Sequence, residues 1–240
     1  MKRFGMAALL ILSAFAQGGP KFDVASVKLT SHGRTADGWS RSWIEQSTPG
    51  RLVGQNASMM ECLRWAFEVK DYQVIGPNWL NADEASYDIE AKAPPETSHE
   101  DMHKMMQALL AERFQLAFHR EQRMLPSYEL VVGKNGHKMT PSTKTDNNQS
   151  SRGGHVTCTG ISMQQWAYQL SRFTKLPVFD VTGLTGNFDF KLDYEGDNKE
   201  EGMPSLFTAL QEQLGLKLES AKRPVDVLVI DHVERIPSGN

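Results

Sequence analysis

"GRLVGQNASMMECLRWAFEVK", residues 50–70, returns in altered letters as "GHVTCTGISMQQWAYQLSRFTK", residues 154–175. Each stretch opens on a glycine, runs through a short strand-like segment and reaches a Ser-Met pair, Ser58-Met59 or Ser162-Met163. Ser58-x-x-Glu61 and Ser162-x-x-Gln165 both read as capping boxes, in which the Ser oxygen takes an orphan helix N–H and the residue three places on returns to the cap's own N–H. Past the first cap, Met59, Met60, Leu63, Ala66 and Phe67 recur at helical spacing. Trp166, Leu170 and Phe173 mark the matching helix in the second stretch. Trp65 and Trp166 are expected in the core.

The likeness continues downstream. "YDIEA" at 87–91 answers "FDFKL" at 188–192, and "MMQALLAERFQLAFHREQRMLPSYELVV" at 105–132 answers "LFTALQEQLGLKLESAKRPVDVLVI" at 206–230. The latter pair predicts a helix, a strand, a Pro-containing turn and a second strand. In "LKLES" Leu216 and Leu218 alternate with Lys217 and Glu219, as a half-buried strand requires. Each half therefore reads β-α-β-β-α-β-β, with two helices on small antiparallel sheets, and the fold class is α+β. The expected organisation is two tandem related modules, 21–139 and 154–236. A polar linker at 140–153, overlapping "PSTKTDNNQSSRGG" at Pro141–Gly154, separates them. A leading strand is expected over Phe22–Leu29, and Thr30–Thr48 has no period and reads as a loop.

The first residues set the compartment. Lys2 and Arg3 precede an apolar run from Met6 to Phe15, and Ala14-Phe15-Ala16 has the form of a cleavage site. This is a secretory signal peptide over 1–16. No Cys follows the apolar run to take a lipid, and no later run reaches the roughly 20 apolar residues of a membrane span. The mature chain is expected in the periplasm or outside a bacterial cell, with no transmembrane segment after cleavage. Removal of Lys2 and Arg3 takes the net charge from -3 to -5, which points away from nucleic acid and anionic membranes as partners. The only two cysteines, Cys62 and Cys158, are even in number, so in an oxidising compartment one disulfide or two buried thiols are both open.

One motif points to an enzyme. "HEDMH" at 99–103 has the H-E-x-x-H spacing of a zinc peptidase, with His99 and His103 on one helix face as ligands and Glu100 as the base. The downstream Gly and His of the extended motif are missing, and the matching helix of the second half has no histidine. Thr97-x-x-Glu100 reads as a capping box, which gives Glu100 a structural role, and the two histidines fall at the margin of the apolar stripe. Asp180, Asp189 and Asp193 read as turn and strand residues. Trp39, Trp43 and Trp79 lie in loop-like regions and are the candidates for a recognition surface.

"FDVASVK", "YQVIGPNWL", "YDIEAKA", "YELVVGKNG", "TGLTGNFDF" and the two long helix–strand stretches closely resemble a soil-associated family of secreted bacterial proteins that carries a domain of unknown function, from about Phe22 to Arg235. The resemblance implies no established activity, and it does not require His at 99 and 103. Related domains fused to membrane sensor peptidases imply extracytoplasmic sensing or binding. Each half is also loosely similar to the short N-terminal domain of secretins and TonB-dependent receptors, which implies protein–protein contacts in the envelope. The expected function is a secreted or periplasmic non-enzymatic binding module without a cofactor. Its partner would be an unknown envelope protein or extracellular ligand. The alternative is a zinc-dependent hydrolase using His99, Glu100 and His103.

Intact-mass analysis of protein exported from a bacterial host is expected to show loss of the chain through about Ala16. A mass that retains Lys2 and Arg3 refutes a cleaved leader.

Overall fold

The computed structural model describes residues 19–30, 42–81, 85–145, 147–196 and 202–239. The signal peptide and Trp39 lie outside the described residues. The fold is α+β, and the chain forms two compact units, Met1–Glu121 with Asp226–Asn240, and Gln122–Val225.

In the first unit, strands β1 (Val24–Leu29), β2 (Trp43–Thr48), β3 (Arg51–Ser58) and β5 (Ser86–Lys92) form an antiparallel sheet in the order β1-β5-β3-β2. Helices α1 (Met59–Phe67) and α2 (His99–Phe114) belong to this unit. Its core gathers Leu52, Met59, Leu63, Tyr87, Ile89, Met102, Met106, Leu110 and Phe114. Burying each such side chain contributes roughly 1.5–3 kcal/mol before the entropy of ordering is charged against it. The short strand β4 (Val74–Ile75) pairs in parallel with Leu228 and Val229 of the long strand β12 (Leu216–His232).

The second unit has an antiparallel sheet of β7 (Thr140–Ser142), β8 (Asn148–Arg152), β9 (His155–Ser162) and β11 (Asn187–Asp193), in the order β7-β11-β9-β8. Its helices are α3 (Met163–Thr174) and the short α4 (Leu206–Ala209), which continues as a π-type turn over Leu210–Leu214. Trp166, Leu170, Ile161, Leu192 and Leu210 are fully buried in its core. The short strand β10 (Val178–Asp180) pairs in parallel with Tyr128–Leu130 of the long strand β6 (Ala117–Val132).

Both capping boxes form as the sequence predicts. Ser58 Oγ takes the Glu61 N–H at 3.2 Å while Glu61 accepts from the Ser58 N–H at 2.9 Å. Ser162 and Gln165 do the same at 3.3 and 2.9 Å. Each helix follows directly on its strand, and a bulge lies three residues before the junction. Opposite Asp88, the pairing of β3 with β5 shifts between Gly54 and Ala57, and opposite Asp189 the pairing of β9 with β11 shifts likewise. The extra residue takes a left-handed conformation, Asn56 at φ 50° and Gly160 at φ 67°. Its N–H is freed from the ladder, and a carboxylate takes it: Asp88 Oδ1 at 3.0 Å from Asn56 N, and Asp189 Oδ1 at 2.8 Å from Gly160 N.

The opening glycines have a steric reason. Gly154 lies at φ 92°, and a Cβ there would run into the Tyr194 carbonyl and meet Gly196 N at 2.9 Å. Gly50, at φ 72°, is enclosed in the same way by the Ala93 carbonyl and by Pro94 O at 2.8 Å.

Four expectations change. The segment 140–153 contains β7 and β8, the two edges of the second sheet. An edge strand faces water along one side, which accounts for its polar composition. The loop expected over Thr30–Thr48 includes strand β2 at its end. The Pro-containing turns are absent: Pro126 and Pro224 stand inside the continuous strands β6 and β12. Proline removes one ladder donor without stopping an extended chain. The two compact units therefore part at 121/122 and 225/226, within these long strands, rather than at 139 and 154.

Asp189 also accepts from the Ser142 hydroxyl. This bond, then the Gly160 N–H, holds its carboxyl below the ordinary 3.8. A depressed folded-state value means that the charge stabilises the fold above pH 3.8 and that this stabilisation is lost as pH falls through the lower folded value. Asp189→Asn is expected to lower the urea midpoint at neutral pH, with the gap to the parent closing as pH falls below 3.8 and through the lowered folded value. An equal gap at both pH values contradicts the role given to the charge.

Candidate functional site

The first place to look is the N-terminal turn of α2, where the peptidase-like motif lies. The cap is Ser98 rather than Thr97: its Oγ takes the Asp101 N–H at 3.0 Å. Glu100 therefore stands one position earlier in the helix than a capping box requires. Its carboxylate pairs with Lys104 Nζ at 2.7 Å, and the same contact raises the Lys104 pKa.

The two histidines differ in setting. His99 is exposed, whereas only 6 % of His103 is accessible, so His103 is a core residue rather than a margin residue. The reason lies at the end of α1, where the last carbonyls have no intrahelical partner. His103 Nδ1 lies 2.6 Å from the Trp65 carbonyl, and Gln107 Nε2 donates to the Ala66 carbonyl at 2.7 Å. A carbonyl only accepts, so Nδ1 carries the proton, and in the neutral ring Nε2 holds a bare lone pair. That Nε2 is buried and has no hydrogen-bond partner. Leaving a buried polar atom unsatisfied costs about 1–3 kcal/mol. Around it stand the Trp65 ring at 4.4 Å, the His99 ring at 4.3 Å (both between centroids) and Glu68 Oε1 at 3.8 Å.

The remaining sequence candidates are dispersed. Trp43 is on β2 rather than in a loop and donates through Nε1 to Gln55 Oε1 at 3.2 Å. Trp79 packs on the first core, with the Arg235 guanidinium 5.0 Å above its ring. Trp166 is fully buried as expected, and Trp65 is half-buried at the core edge. Asp180 accepts from the Thr182 N–H at 2.9 Å in a local turn, and Asp193 meets His155 Nδ1 at 2.8 Å, so the three aspartates hold separate local roles. Cys62 and Cys158 are free thiols, each buried in the core of its own unit, and the pairing that an even count allows does not form. Burial raises both thiol pKa values, that of Cys158 to about 12.

A concavity lies in the second unit and was not visible in the sequence. It is an open groove of about 890 Å³. Arg172 and Lys175, from the end of α3, line it together with Phe173, Tyr194, Glu195 and Phe207. The Phe173 and Tyr194 rings stand 5.7 Å apart, tilted, and Phe207 leans edge-on against Tyr128 at 5.3 Å. Aromatic rings and two cationic side chains therefore line the same groove. Phe173, which marks the second helix in the sequence, is half-buried and serves as one wall. The groove joins the end of one helix, the end of a strand and the start of another helix, and no single periodic segment contains that pattern.

A family model described as "Protein of unknown function (DUF3738)" matches residues 60–233. The chain belongs to the DUF3738 family. The match spans α1 to the end of β12 and so takes in both the His103 corner and the groove. No curated protein and no solved structure matches the chain. Among the described residues of this DUF3738 protein, no helix is long and apolar enough to cross a membrane.

In the folded protein neither thiol is expected to react with a thiol reagent at about pH 8, because both are buried and held protonated. Two thiols per chain are expected after unfolding in urea without reductant. A count near zero in the unfolded, unreduced protein reveals a bridge.

Proposed function

We propose that this DUF3738 protein is a secreted or periplasmic, non-enzymatic binding module of the bacterial cell envelope, and that the groove of its second unit is the contact surface. The groove carries the reading, because it combines half-buried aromatic walls with the cations Arg172 and Lys175. The occupant is an envelope protein segment or an extracellular molecule with an apolar or aromatic body and an anionic group. The signal-peptide pattern at residues 1–16 supports export.

The two units are, in this proposal, copies of one ancestral module. The sheet orders β1-β5-β3-β2 and β7-β11-β9-β8 match position by position, and each sheet has a capping box and an aspartate-held bulge at the equivalent place. The loose similarity of each half to the short N-terminal domain of secretins and TonB-dependent receptors points to protein–protein contact as the use of such a module. Hydrolysis through His99, Glu100 and His103 draws no support from the geometry, because Glu100 is engaged by Lys104.

Photo-crosslinking from Phe207, with an exposed position of the first unit as control, tests the surface in envelope preparations of the producing cell. A discrete adduct is expected from the groove and not from the control. Arg172→Glu with Lys175→Glu is expected to weaken it by about tenfold or more with the fold intact. Equal adducts from both positions, or an adduct indifferent to the charge reversal, contradict the assignment. A turnover lost on a single substitution contradicts the non-enzymatic reading.

A further inference from the structure

We propose that the corner between α1 and α2 is a binding site for one divalent metal ion of the zinc class, with His103 Nε2, His99 and Glu68 as its protein ligands. This goes beyond the groove reading and is independent of it.

The starting point is His103 Nε2, a lone pair without a donor in a side chain only 8 % exposed. Its protonation is set by the other ring nitrogen. Nδ1–H donates to the Trp65 carbonyl at 2.6 Å, the outer-shell bond that fixes tautomer and ring orientation in metal-ligating histidines. The nitrogen left over is thus a basic, oriented, dry electron pair. A cap for the Trp65 carbonyl needs only one donor. A glutamine could supply it, as Gln107 does for the neighbouring carbonyl, so capping does not explain why an imidazole stands here.

The surroundings match what such a lone pair would share. Glu68 Oε1 is 3.8 Å from Nε2. Two ligands of one tetrahedral zinc lie about 3.3 Å apart, given bonds of about 2.0–2.1 Å, so the carboxylate is about half an ångström out. Glu68 is the residue that ends α1, at φ 52°, where the helix dipole favours positive charge. His99 lies one helical turn before His103, with ring centroids 4.3 Å apart. In a loaded site the two rings would open to roughly 5 Å. As they stand, no three His, Cys, Asp or Glu side chains among the described residues are placed to hold a metal ion, so the site requires movement. Both partners that must move are exposed, the Glu68 side chain to 70 %, so closure needs rotamer changes and leaves the backbone in place. Two imidazoles and one carboxylate suit zinc, whereas magnesium and calcium prefer all-oxygen sets. Glu100 is not a ligand, because it pairs with Lys104 on the next turn.

The test is calorimetric titration of the metal-free, full mature chain with zinc chloride at about pH 7.5, where imidazole is mostly neutral. The variants are Glu68→Gln, His99→Ala and His103→Gln. One zinc per chain is expected, with a Kd on the order of 1 μM or tighter. Glu68→Gln and His99→Ala should each weaken binding by about tenfold or more, and His103→Gln should abolish it. Glu68 is exposed, and its variant keeps the test sound should His103→Gln fail to fold by circular dichroism. The thermal midpoint of the parent should rise with zinc, and that of Glu68→Gln should rise less. No binding heat, a stoichiometry other than one, or an affinity unchanged in Glu68→Gln overturns the site. Loss in His99→Ala alone, with a folded His103→Gln still binding, shows adventitious surface binding only and overturns it as well.

Discussion

The Asp189 carboxylate takes the Gly160 N–H, and Asp88 takes that of Asn56, at the bulge where the pairing of an inner strand shifts in each sheet. Much of each unit depends on this contact. A bulge frees a backbone donor, and a buried or half-buried donor must find an acceptor. With the carboxylate in place, the strand kinks, reaches its serine cap and starts its helix without an intervening loop. The helices then carry fully buried side chains of both cores, Trp166 and Met59 among them.

The far end of α1 presents the same problem with the opposite polarity. There the carbonyls lack donors, and α2 supplies them from two residues one turn apart, His103 and Gln107. This explains how a motif that spells a peptidase can sit in a helix whose polar side chains act as caps and ion-pair partners. It also explains why the two histidines are unequal. One is held by a carbonyl and buried, while the other is exposed and able to move. The nitrogen left without a partner is the consequence of using an imidazole where an amide would serve.

The groove of the second unit arises from different physics. The end of α3 brings two cations beside Phe173, and the end of β11 and the start of α4 add aromatic faces. Phe173 and Tyr194 pack against the second core and keep part of their rings exposed at these ends. In the first unit the Arg235 guanidinium lies over the partly buried Trp79 ring.

What the sequence by itself determined is what lies within a few residues of its cause. The caps at Ser58 and Ser162, the helical stripes and the α+β class all follow from local spacing, because hydrogen bonds across three residues and a period of 3.6 need no distant partner. The tertiary structure alone decided three things. It made edge strands of the polar stretch 140–153, since an edge is defined by what lies on one side of it. It carried β6 and β12 straight through Pro126 and Pro224, since a neighbouring strand decides whether a missing donor matters. It buried His103, whose place is set by a carbonyl 38 residues away in the chain. Each of these depends on a partner remote in sequence, and no pattern within one segment encodes it.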